Sequence, residues 1–131
     1  MTLKQIKDYF KTTFLWDEAI SIGKIDKDRE KAICFYNSRI QSPKTGTIGG
    51  KKNRSYEMKP VTLLLRYGTN ADIAEIKAKE IYDFFDEREI FIRNKRVFVV
   101  SRYNSAIDLG TDEKGVYEYS FEFNFYQTNK E

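Results

Sequence analysis

The stretch Lys59–Phe85, KPVTLLLRYGTNADIAEIKAKEIYDFF, decides the fold class, because in it an apolar strand runs through a short turn into an amphipathic helix. Successive residues of an extended chain point to opposite sides, so Val61, Leu63, Leu65 and Tyr67 share one face. Leu64, on the other face, asks for partial cover there. The strand ends at Gly68. Thr69-Asn70-Ala71-Asp72 then supplies a hydroxyl to accept the free amides of a new helix and an acid for its positive first turn. At about 100° per residue, Ile73, Ala74, Ala78, Ile81, Phe84 and Phe85 gather on one side, and Asp72, Glu75, Lys79, Asp83 and Asp86 on the other. The apolar side is expected to lie on a sheet.

Upstream of this unit, Thr2-Leu3-Lys4-Gln5 matches a capping box, and Leu3, Ile6, Phe10 and Phe14 follow as one stripe, predicting a helix from Thr2 to about Thr13 with Trp16 closing its end. Ala19–Ile25 alternates through Ile20 and Ile22 as a strand. Asp26–Glu30 reads as a charged turn, and Lys31–Tyr36 as a second strand pairing back as a hairpin. Downstream, Ile90–Ile92 and Arg96–Arg102 read as strands around an Asn94-Lys95 turn. Val97 and Val99 fall on one face and Phe98 and Val100 on the other, the pattern of a strand inside the sheet or at a subunit contact. Arg96, Phe98, Val100 and Arg102 are the candidate subunit interface, since arginine suits an interface rim.

Ser105–Lys114 is a polar connection, and Gly115 opens the last strand. There Tyr117, Tyr119, Phe121, Phe123 and Phe125 alternate with Glu118, Ser120, Glu122 and Asn124. The aromatic face is either the core wall beneath the helices or a platform for stacking bases. The platform reading lacks the Gly and basic residues of the known motif. The architecture expected is α+β: a four- to five-stranded, mainly antiparallel or mixed sheet with two helices packed on one face, in a single domain over 1–131.

The 131-residue chain is the size of one domain and large enough to fold without a disulfide or metal. Its one cysteine, Cys34, has no partner for an internal bridge and reads as a small buried hydrophobe in an intracellular protein. Lys plus Arg is 23 against 20 for Asp plus Glu, and the net charge of +3 falls far short of a dedicated nucleic-acid binder. No run approaches the ~18 apolar residues of a membrane span, and the N-terminus lacks the apolar run of a signal peptide. The expectation is a chain neither secreted nor inserted. With no histidine, His-based triads, zinc sites and general bases are excluded.

Gln41–Glu57, QSPKTGTIGGKKNRSYE, has three Gly, four Lys or Arg and one aliphatic residue, Ile48. Loops this long are uncommon in compact domains and tend to be functional or mobile. Its Lys44, Lys51, Lys52 and Arg54 form a candidate arm for contacting phosphate or an acidic partner, against the plainer reading of a solvated loop. The acids Asp26, Asp28, Asp108, Asp112 and Glu113 match no calcium-loop spacing, and Gly46, Gly49 and Gly50 no phosphate loop. No catalytic, metal or cofactor residues are assigned, and a small binding or assembly protein is the better class.

Val61–Gly68 running into Ala78–Phe85, and then Asp108–Phe123, DLGTDEKGVYEYSFEF, resemble the minor capsid and tail terminator family of long-tailed bacteriophages and prophages. The resemblance covers roughly Lys59–Tyr126 and the layout of the N-terminal helix and hairpin. It implies a non-enzymatic protein of the virion tail or neck, assembled in the host cytoplasm. It further implies a hexameric ring that caps the head-proximal end of the tail tube, ends its polymerisation and contributes to head-tail joining. The partners implied are the chain itself, the tail tube protein, the head connector and DNA that passes through without sequence-specific binding, with no membrane. The alternative is a small nucleic-acid-binding module using the aromatic sheet face and the basic arm. Such a module would bind oligonucleotides with a steep salt dependence.

Overall fold

A computed structural model describes residues 1–39 and 56–128 of the chain. The first helix, α1 (Leu3–Phe14), is capped as its sequence dictates. The Thr2 hydroxyl accepts the Gln5 N–H, and the Gln5 side chain accepts the Thr2 N–H in return. It ends at Leu15 in the left-handed region, and the buried Trp16 donates its indole N–H to the Ala19 carbonyl at 3.0 Å.

The strands are β1 (Ala19–Ile22), β2 (Lys31–Asn37), β3 (Tyr56–Tyr67), β4 (Arg88–Ile92), β5 (Lys95–Ser101), β6 (Ile107–Thr111) and β7 (Tyr117–Thr128), with α2 (Ala71–Phe85) between β3 and β4. They form one seven-stranded mixed sheet in the order β1-β2-β3-β7-β5-β4, with β6 beside the first half of β7. This overturns the four- to five-stranded sheet expected above. The missed strand is β6, Ile107-Asp108-Leu109-Gly110-Thr111, which is exposed along its whole length and interrupted by a bulge at Asp108/Gly110; its alternation spans only five residues inside a polar stretch, too short to stand out from a connection. The segment read as a polar connection is in fact this strand and the turn that follows.

A second correction concerns β1 and β2, which pair in parallel, Ala19 against Ala32 and Ile22 against Phe35, and not as a hairpin. Parallel strands need a crossover. Here it is short and has no helix. Gly23 turns at a φ of 78° and donates to the Phe35 carbonyl, and the chain returns across the sheet. Ile25 is buried against Ala32 and Cys34, and its N–H meets the Tyr36 hydroxyl at 3.1 Å. Ile25 is thus the anchor of the return and not the end of a strand.

At α2 the cap is the Asn70 side-chain oxygen, which accepts from Asp72 and Ile73 at 3.0 and 3.1 Å, in place of the expected hydroxyl. The turn between β4 and β5 is Arg93-Asn94, both residues at positive φ, the geometry that matches strand twist in a two-residue hairpin.

The long strands β3 and β7 pair antiparallel from Tyr56/Thr128 to Arg66/Glu118. One face of the pair carries Val61, Leu63 and Leu65 with Tyr119, Phe121, Phe123 and Phe125, all buried beneath Ile6 and Phe10 of α1 and Ala74, Ala78, Ile81 and Phe85 of α2. The aromatic residues of β7 are therefore core wall, and the base-stacking platform is overturned because its rings are covered. Ile73, counted above with the core side of α2, is half exposed. Phe121→Ala is expected to cost about 3 to 5 kcal/mol, the range for a buried Phe, measured by denaturant unfolding. A parent-like midpoint would contradict the burial.

Candidate functional site

Three features of the structure lie outside the main core. The first is Arg66. It stands on the face of β3 away from the helices, beside Ala32 and Glu118 by register, and is 1% exposed. Its guanidinium donates to Asp112 at 2.8 Å and Glu118 at 3.2 Å, and to the backbone carbonyls of Arg29 and Lys27, both at 3.3 Å. Burial alone would favour its neutral form, but the two carboxylates outweigh that and raise its pKa above the ordinary value. Asp112 is held below the usual carboxylate range, first by the Val116 N–H and then by Arg66. Sequence reading gave Arg66 no role. The available signal was a charged residue inside an otherwise apolar strand.

The second feature is the face of the sheet that neither α1 nor α2 covers. Arg96, Phe98, Val100 and Arg102, the predicted interface residues, lie together on this face, because Phe98 pairs with Tyr126 and Val100 with Asn124. Phe98 is 44% exposed and Val100 half-buried, while Val97 and Val99 face the core. Arg96 is tied to Glu89 at 2.9 Å, and the Arg102 N–H donates to the Glu122 carbonyl at 2.8 Å. Register extends the row to Met58, and the exposed Tyr56 packs edge-on against Tyr126 with ring centres 5.4 Å apart. Beneath lie two polar groups. The Glu122 carboxylate accepts from Ser38 at 2.9 Å and Thr62 at 2.8 Å. The Asn124 side-chain oxygen is buried without a hydrogen-bond partner among the described residues. Such an orphan acceptor is uncommon and costs stability until a donor meets it.

The third feature is an open cleft of about 600 Å³ between α2 and the Asn104–Asp108 segment, lined by Asp72, Glu75, Asp83 and Asp108 with Lys79. Sequence reading counted Asp108 among acids that match no calcium loop and did not find this cleft, which is made by α2 and a segment distant from it in sequence.

Lys44, Lys51, Lys52 and Arg54 of the predicted arm lie outside the described residues, although Tyr56 and Glu57 belong to β3 and so shorten the arm as drawn from sequence. Among the described residues no cluster of His, Cys, Asp or Glu could hold a metal ion, and no helix is long and apolar enough to cross a membrane.

The family described as bacteriophage tail terminator protein matches residues 13–129. No curated protein and no solved structure matches the chain. The chain belongs to the bacteriophage tail terminator family, which gives it a structural role in phage tail assembly, a place in the virion tail and other phage tail or head proteins as partners.

Two outcomes are expected at Arg66. Arg66→Ala should destabilise by about 3 kcal/mol, the low end for breaking a buried pair, because Asp112 and Glu118 keep some access to water. The pH dependence follows from the lowered pKa of Asp112. Its contribution is fully present above the ordinary Asp value of about 3.9 and is lost as pH falls through the lower folded value. The stability gap between the parent and Asp112→Asn should therefore narrow from about pH 5 downward in urea titrations. A gap independent of pH would remove Asp112 from this role.

Proposed function

We propose that this tail terminator forms a ring, a hexamer, on the head-proximal end of the tail tube, stops the tube's polymerisation and presents a surface to the head connector. DNA passes through the ring without sequence-specific contact, assembly takes place in the host cytoplasm, and no reaction is assigned to the chain. The family match over residues 13–129 supports the tail role. The observation that carries the contact surface is a sheet with one face under two helices and the other bearing exposed Phe98, Phe91 and Tyr56. Exposed aromatic side chains grouped on one face favour association, since each Å² buried contributes about 25 cal/mol. The buried Asn124 oxygen points the same way, because a partner's donor would satisfy it.

The surface through Arg96, Phe98, Val100 and Arg102 is assigned to the contact between subunits. A charge placed at Phe98 tests it without disturbing the core, since Val97 and Val99 hold the other face of the strand. Phe98→Asp should keep the parent's circular dichroism and melting temperature to within a few degrees yet fail to associate or to limit tube length. Native mass measurement across a concentration series and electron microscopy of protein mixed with growing tubes read both. A parent that neither forms rings nor shortens tubes would sink the terminator role, whereas a Phe98→Asp chain that still caps tubes would remove only this surface.

A further inference from the structure

A ring of identical subunits uses head-to-tail contacts, so the surface on the β4–β5 hairpin needs a different, complementary surface elsewhere on the same chain. The cleft between α2 and the Asn104–Asp108 segment has the required character. It carries the carboxylates of Asp72, Glu75, Asp83 and Asp108 against one ammonium, Lys79, which is already paired with Asp83 at 2.9 Å. Its floor is Tyr119, which is 7% exposed and whose hydroxyl has no hydrogen-bond partner among the described residues. Burial and then the carboxylates of Asp108 and Glu75 push the Tyr119 phenol up, so it stays a neutral donor and acceptor awaiting a partner. Ile73 and Ile76 stand half exposed on the outer side of α2, so the cleft is flanked by apolar surface that a bare ion would leave uncovered.

The hairpin tip offers the matching chemistry. Phe91 is 60% exposed, and Arg93, in the tight turn, is exposed without a carboxylate partner among the described residues. The tip cannot reach the cleft of its own chain. It lies at the start of β5, whereas the cleft segment follows the end of that strand, about 20 Å away at about 3.3 Å per residue.

We propose that the cleft receives the β4–β5 hairpin tip of a second copy of this chain, with Arg93 against Glu75, Asp108 and the Tyr119 hydroxyl and Phe91 against the apolar flank of α2. This rests on the ring reading and adds its second surface. The contact is heterologous, so each copy both gives a tip and receives one, and closure sets the number of subunits. Charge across such a contact fixes register and steers encounter, and the association it drives weakens with salt.

Charge exchange tests the pairing on the full chain. Arg93→Glu and Glu75→Arg alter exposed residues and should leave circular dichroism unchanged. Each alone should raise the concentration needed for association, alone or on tube ends, by about tenfold or more, as expected for a charge pair turned repulsive. The double variant, in which the two charges are exchanged, should recover most of the parent's association. Two single variants that associate like the parent, or single losses with no recovery in the double variant, would overturn the contact while leaving the ring intact. A parent that never associates would overturn both the ring and the contact.

Discussion

The arrangement behind the sheet depends on one buried guanidinium. Arg66 brings together a central strand, the return between β1 and β2 through the Lys27 and Arg29 carbonyls, and the β6–β7 turn through Asp112. The return and the turn are polar apart from one buried apolar residue each, Ile25 and Val116, and Arg66 adds a charged tie to both. A buried ion pair adds little net stability over a well-packed apolar substitute, but an unpaired buried charge is costly. That asymmetry selects the one arrangement in which all the partners meet. Arg66 therefore sets position more than it adds energy, and the Gly68 N–H to the Glu30 carbonyl at 2.7 Å closes the same corner from the backbone.

The helix side works on the opposite principle. Phe10 lies within 6 Å of Phe14, Trp16, Phe35, Phe84 and Phe85, and Phe85 passes the contact on to Phe123 and Phe125 of β7. These rings supply large buried areas through stacked, tilted and edge-on contacts, so the two helices are fixed by shape and apolar area. With the core satisfied on this side, the aliphatic and aromatic residues on the far side of β4, β5 and β7 lie under neither helix among the described residues.

How much was legible in the sequence follows this division. The helices, the β3–α2 unit and the face of β7 could be read because burial imposes a period of about 3.6 or 2 on apolar residues. The parallel pairing of β1 could not, since its signal is one isoleucine, Ile25, in a charged run, and a charged run before a second strand reads as a hairpin turn. β6 escaped because its alternation, Ile107 and Leu109 around Asp108, spans only five residues within a polar run. That Phe98 and Val100 share the face of β5 opposite Val97 and Val99 was legible because a strand alternates its side chains, whereas a role for Arg96, Phe98, Val100 and Arg102 in a contact is a proposal that the fold leaves untested. The cleft and Arg66 were missed because both are made by residues distant in sequence. Asp112 and Arg66 meet at 2.8 Å across 46 positions, and no local pattern encodes that.

The sheet's edges bear on how such a subunit associates. An unpaired edge invites strand addition and open-ended growth, and natural sheets blunt it with short strands, charges and bulges. Here β1 has four residues, β4 has five and begins Arg88-Glu89, and β6 has five with a bulge and an exposed Asp108. Exposed aromatic side chains also stand on a face of the sheet and at a hairpin tip, at Tyr56, Phe98 and Phe91. Contacts through side chains on a twisted face have a defined rotation between copies, whereas edge pairing continues a sheet without limit. For a protein proposed to end a polymer this distinction is physical necessity. Blunted edges remove the route of open-ended strand addition, and head-to-tail contacts through side chains then close or not according to the rotation between copies.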